Sequence, residues 1–144
     1  MTTSAFDLDR FVAAQDPLYS HVVAELAAGR KQSHWMWFIF SQVAGLGFSA
    51  MAQRYAIRSR AEAEAYLAHP ILGSRLLECT RLVLEVSGKT IHAILGSPDD
   101  IKFRSSMTLF DAVANQPIFA QAIDKYYGGE KDQATLDLLD RLRT

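Results

Sequence analysis

The stretch SRAEAEAYLAHPILGSRLLECTRLVLEVSG, Ser59 to Gly88, decides the fold class. Ser59 followed three residues later by Glu62 is a capping box, in which two side chains satisfy amides that a helix start leaves without partners. Ala63, Tyr66 and Leu67 then recur at helical spacing. His69-Pro70 ends that helix, because the residue before a proline is pushed toward extended backbone, and a longer helix opens behind it. In this second helix Leu72, Leu76, Cys79, Val83 and Val86 form one apolar stripe that stops at Gly88. Nowhere in the stretch do apolar and polar residues alternate with the period of two that a half-buried strand requires.

The same punctuation continues in both directions. Toward the C-terminus, Thr90 to Leu95 reads as a short helix stopped by Gly96, and Ser97-Pro98-Asp99-Asp100 repeats a start signal with a cap, a proline and two carboxylates suited to the positive end of a helix dipole. Pro117 to Tyr127 closes at Gly128-Gly129, and Asp132 caps a last amphipathic segment bearing Leu136, Leu139 and Leu142. Toward the N-terminus, Asp7 caps a short helix with Leu8, Phe11 and Val12 on one face. Asp16-Pro17 is the N-cap and first position of another, carrying Leu18, Val22, Val23 and Leu26 and ended by Gly29. No Pro/Ser linker, low-complexity tract or fixed repeat interrupts the pattern. The expectation is an all-α, mainly helical fold: a single compact multihelical domain over residues 1–144 with about seven to nine helices.

Composition narrows the function classes. The 144 residues are 49% hydrophobic and 22% charged, with a formal net charge of -1, so a general nucleic-acid coat is not expected. Every apolar run is shorter than the roughly 18 residues that a membrane span needs, and MTTSAFDLDR lacks the charged start and apolar core of a signal peptide; a cytoplasmic protein without membrane contact is expected. Cys79 is the single cysteine and reads as a small core residue. The histidines at positions 21, 34, 69 and 92 show no i, i+4 pair and no HExxH pattern, so no metal site is expected, and no particular cofactor is indicated.

Three blocks carry side chains capable of chemistry. In GRKQSHWMWFIFSQ, Gly29 to Gln42, Arg30 and Lys31 leave a turn behind a helix-ending glycine and can converge on a phosphate or carboxylate. His34 supplies an imidazole, and Trp35 or Trp37 a face for stacking on a flat ring. The competing reading packs Trp35, Met36, Phe38 and Ile39 into a core with Trp37 on the surface. In GSPDDIKFRSSMTLF, Gly96 to Phe110, Asp99 and Asp100 can orient a water or accept a proton. There Lys102 and Arg104 can neutralise developing charge, and the hydroxyls of Ser105 and Ser106 can hold phosphate or ribose. The competing reading makes the acids dipole partners and the hydroxyls a close-packing surface. The third block is Gln53, Arg54 and Tyr55, with Arg58 and His69 nearby, where an arginine beside a ring suits an anion. Neither serine lies in a GxSxG or SxxK motif.

In order, RFVAAQDPLY (Arg10 to Tyr19), ELAAGRKQSHWMWFIFSQVAGLG (Glu25 to Gly47), MAQRYAI (Met51 to Ile57), EAEAYLAHPILGSRL (Glu62 to Leu76) and GSPDDIKFRSSMTLF closely resemble the bacterial family called domain of unknown function 1810, some of whose members are labelled calpastatin-like. The resemblance covers nearly the whole chain. It implies a mainly helical single domain and no known activity; calpastatin inhibits through disordered segments, whereas this chain is built to fold. Ser41 departs from the family's F-P-Q pattern, so a less rigid turn is expected after the aromatic strip. A much weaker likeness, in the alternation of aromatic-basic and Lys-Phe blocks, links the chain to NADAR-type proteins, small helical domains tied to ADP-ribose and N-glycosidic chemistry. Their Glu-His-Tyr element has no counterpart before Trp35, so no catalytic glutamate transfers.

These readings combine into one expectation. Arg30, Lys31, His34, Trp35, Trp37, Arg54, Tyr55, Lys102, Ser105 and Ser106 converge on one hollow that binds, or hydrolyses, an anionic nucleotide or ADP-ribose-like molecule, with His34 and Asp100 as catalytic candidates. The alternative is a noncatalytic protein-interaction domain that uses exposed aromatic surface to meet a partner, a second copy of itself being one such partner.

Overall fold

The computed structural model describes residues 6–142. Among them run ten helices: α1 (Asp9–Gln15), α2 (Tyr19–Ala27), α3 (Met36–Ile39), α4 (Ala50–Arg54), α5 (Arg60–Ala68), α6 (Leu72–Glu85), α7 (Ile91–Leu95), α8 (Asp99–Val113), α9 (Ile118–Tyr127) and α10 (Gln133–Arg141). The one extended pairing described is an isolated parallel bridge between Val43 and Ile57. The all-α expectation therefore holds, and α8 is its axis. Phe103 and every residue from Ser105 to Phe110 are buried, and α8 packs against α5, α7, α9 and α10. A helix buried on nearly all faces is what a core position requires. Edge-on and tilted ring pairs join it to its neighbours: Phe103 with Phe40 at 4.8 Å, and Phe110 with Tyr66 at 5.4 Å and Phe119 at 5.9 Å.

Local signals act as read in several places. The Ser59 hydroxyl accepts the Glu62 amide at 3.0 Å, and the Thr90 hydroxyl accepts the Ala93 amide at 3.1 Å. Gly128 ends α9 in the left-handed region at φ 62°, where a side chain would be strained. The other half of the Ser59 box is displaced by one residue. The Glu62 carboxylate accepts the Arg58 amide at 2.8 Å and pairs with Arg10 at 3.1 Å. Gly73 sets the approach of α6 to α5, since a Cβ there would lie 2.1 Å from the Leu67 carbonyl oxygen.

Four expectations are corrected. The helix count exceeds seven to nine because α3 and α4, at four and five residues, are too short to show periodicity. Leu8, not Asp7, stands at the start of α1, without a side-chain cap. Asp16 continues the helical conformation of α1 as its C-cap and pairs with Arg75 at 2.9 Å, so α2 begins at Tyr19 instead of Pro17. At the head of α8 the cap position belongs to Pro98 rather than Ser97. Cys79 is buried, and burial pushes its thiol up to about 12, which leaves it unreactive. Among the described residues no helix is long and apolar enough to cross a membrane. The leader reading rests partly on residues 1–5, which lie outside the described residues.

Candidate functional site

The aromatic strip begins on an acidic anchor. Beyond Gly29 (φ 72°) the chain folds back over the Glu25 carboxylate, whose Oε1 accepts the Gln32 amide at 2.8 Å, the Ser33 amide at 3.0 Å and the Trp35 indole N–H at 3.0 Å. Its Oε2 accepts the Ser33 hydroxyl at 2.5 Å. Burial pushes the Glu25 carboxyl up, but these donors, the Ser33 hydroxyl first, outweigh it and hold the group down to about 2. Trp35 is thereby fixed in the core, fully buried. Lys31 lies 5.1 Å from its ring centroid and pairs with Asp99 at 2.8 Å.

Two residues further on the strip meets open space. After α3 the chain runs extended through Val43, held to Ile57 by the Ala44 amide on the Ile57 carbonyl (2.8 Å) and the Ile57 amide on the Gln42 carbonyl (2.9 Å). The segment between these contacts, with α4 inside it, arches over a cavity of about 210 Å³. Met36, Trp37 and Phe40 form one wall; Gln53, Tyr55 and Arg58 form the other; Lys102 reaches in from α8. Gly45 and Gly47 line the cavity with backbone alone. Gly47 has no room for a side chain, since its Cβ would stand 2.6 Å from that of Ala52. Phe48 on the rim is 82% exposed. Two arginines hold the α4 wall by its terminal carbonyls. Arg10 donates to those of Arg54 at 2.8 Å and Ala56 at 2.9 Å, and Arg58 donates to that of Gln53 at 3.2 Å.

The electrostatics of this cleft are one-sided. Lys102 lies 5.8 Å from the Trp37 ring centroid, within range of the quadrupole on its face, and 4.0 Å from Asp99. Its lining contains Lys102 and Arg58 and no aspartate, glutamate or histidine.

Of the ten residues expected to converge, Trp37, Tyr55 and Lys102 line this cleft. The other seven do not line it. Arg30 and His34 are exposed outside it, Lys31 is taken by Asp99, and Trp35 by the core. Arg54 is exposed, its guanidinium 5.5 Å from the Tyr55 ring centroid, and it does not line the cavity. Ser105 donates to Asp132 at 2.8 Å, and the buried Ser106 hydroxyl has no hydrogen-bond partner in the structure. Asp100 accepts the Ile101 amide at 2.9 Å, faces His92 at 3.2 Å, and takes the Tyr127 hydroxyl on its carbonyl. Sequence reasoning named Gln53 and Arg58 only as neighbours of Arg54 and missed Gln42, Glu25 and the glycine loop. Ser41 is buried and donates to the Trp37 carbonyl at 2.9 Å, tying down the turn at the proline-like position. Among the described residues no cluster of His, Cys, Asp and Glu is placed to hold a metal ion.

A family model for a protein of unknown function, DUF1810, matches residues 5–139. The chain belongs to the DUF1810 family. The crystal structure of the conserved hypothetical protein Rv1873 from Mycobacterium tuberculosis resembles this DUF1810 chain at 54% identity and a TM-score of 0.94, covering 95% of this chain and 99% of that one. No curated protein matches it. Family and neighbour fix the fold, and neither brings an activity with it.

Proposed function

We propose that this DUF1810 protein binds a small anion bearing a flat ring, a nucleotide or ADP-ribose-like molecule, in the cleft between α3, α4 and α8. One observation carries the reading: Trp37, Lys102 and Arg58 share a concave lining free of acidic side chains. A ring stacks on the partly exposed indole, while two cations meet phosphate or carboxylate across a lining that itself carries no acidic side chain. Glycine backbone and glutamine amides supply the few polar groups that orient a ligand in a largely apolar pocket. His34 and Asp100 stand outside this lining, so the proposal is binding, with no reaction assigned. A nucleotide ligand also suits the cytoplasmic location expected from composition.

Thermal unfolding with AMP, ADP-ribose, NAD and adenosine tests it. A ligand at 100 times its dissociation constant adds about 2.7 kcal/mol of stability. The phosphorylated compounds should raise Tm, adenosine should raise it less, and Lys102→Ala should weaken AMP binding by about tenfold, near 1.4 kcal/mol. No shift with any of the four rejects the reading. The competing reading, a noncatalytic homodimer, draws on Phe48 at 82% and Ile101 at 59% exposure. It requires a dimer in sedimentation that Phe48→Ser dissociates, and a monomer at high concentration excludes it.

A further inference from the structure

We infer that Lys31, although outside the cleft, sets its anion affinity by holding Asp99 away from Lys102; the inference rests on reading the cleft as an anion site. Asp99 begins α8 and stands between two ammonium groups. Its Oδ2 is 2.8 Å from Lys31 and its Oδ1 is 4.0 Å from Lys102, one turn further along the helix. The closer pair is also the more sheltered. The side chains of Lys31 and Asp99 are 8% and 17% exposed, against 28% for Lys102, and attraction between charges grows as water is removed from around them. Asp99 therefore pairs more tightly with Lys31 than with Lys102, and less of the Lys102 charge is compensated on the cavity side.

Lys31 is built to stay in place. Its amide donates to the Ile94 carbonyl at 2.8 Å, and its ammonium lies over the ring of Trp35, which the Glu25 carboxylate fixes in turn. The other charges at this end of α8 have their own partners: Asp100 faces His92 at 3.2 Å and Arg104 faces Asp132 at 3.8 Å. Removing the Lys31 charge leaves Lys102 as the remaining cation within 4.0 Å of Asp99 among the described residues. A side-chain rotation then closes the 4.0 Å gap, neutralising Lys102 and drawing it from the Trp37 face. The Arg-Lys pair of the sequence thus has a role one step removed from the ligand: Lys31 is a positioning residue.

The test is a charge-deletion cycle read by calorimetry with AMP and ADP-ribose. Lys31→Met keeps an unbranched apolar stem over Trp35 and should weaken both ligands by about fivefold to tenfold, whereas Lys31→Arg should stay within about twofold of the parent. The decisive variant is Lys31→Met with Asp99→Asn. Removing the carboxylate charge should restore parental affinity, which loss of packing alone would not allow. An unrescued double variant overturns the inference. A ligand-free arm separates this inference from the cleft reading itself. The side-chain ammonium NMR resonance of Lys102 should move in Lys31→Met and return in the double variant. If neither ligand binds the parent protein, the cleft reading fails and this resonance alone decides whether Lys31 controls Asp99; an unmoved resonance overturns it.

Discussion

Trp35 is enclosed, its indole N–H on the Glu25 carboxylate at 3.0 Å, whereas Trp37, two residues later, opens onto a cavity with an ammonium over its face. Residues two apart on a helical turn point to roughly opposite sides, so one short strip supplies both a core plug and a pocket wall. The difference comes from partners far off in sequence. Glu25 gathers the turn ahead of Trp35, and the arch from Val43 to Ile57 holds space open beside Trp37. An aromatic side chain becomes available to a ligand only where the chain around it leaves a gap, and residue type alone says nothing of that gap.

The comparison breaks most readily at Trp35. Trp35→Ala should destabilise the fold by about 3–5 kcal/mol in urea unfolding, since it opens a large cavity and strips a donor from Glu25. Trp37→Ala should cost about 1 kcal/mol, its main effect being loss of AMP binding. Equal costs for the two would mean that the cleft wall is simply more core.

Glu25 sharpens the contrast through pH. Its carboxyl lies near 2 in the fold against an ordinary 4.5, so the folded state favours the ionised form. The stability it contributes is fully present above about pH 4.5 and is lost as pH falls toward 2. Glu25→Gln should cost about 2 kcal/mol at neutral pH, the scale of hydrogen bonds to a charged group. The gap between parent and variant should then narrow below pH 4.5, followed by urea midpoints across an acid series. A gap that stays constant with pH would show that the Glu25 charge does not organise the strip.

These outcomes bear on what the sequence could reveal. Helix starts and stops such as Ser59 with Glu62, Thr90 and Gly128 were readable because a cap is settled within four residues. Asp7 and Ser97 had the right chemistry for caps, but the neighbouring Leu8 and Pro98 took the positions, and nothing local signals that competition. The cleft was readable as residue types, through Trp37, Tyr55 and Lys102, and unreadable as a place. Lys31, Trp35 and Ser105 have equally suitable chemistry, yet Asp99, Glu25 and Asp132 claim them from other parts of the chain. Gly45 and Gly47 contribute backbone, which leaves no motif.

The smallest effect belongs to the exposed turn. His34→Ala and Arg30→Ala should each change stability by less than about 0.5 kcal/mol, the range for surface positions away from caps and buried charges. AMP affinity should also be unchanged, because neither side chain lines the cavity. The Arg30 amide donates to the Glu25 carbonyl at 2.9 Å, and that main-chain bond survives truncation of the side chain. A clear loss of ligand binding in either variant would extend the site across the Glu25 turn and erase the boundary between the filled half of the strip and the open one.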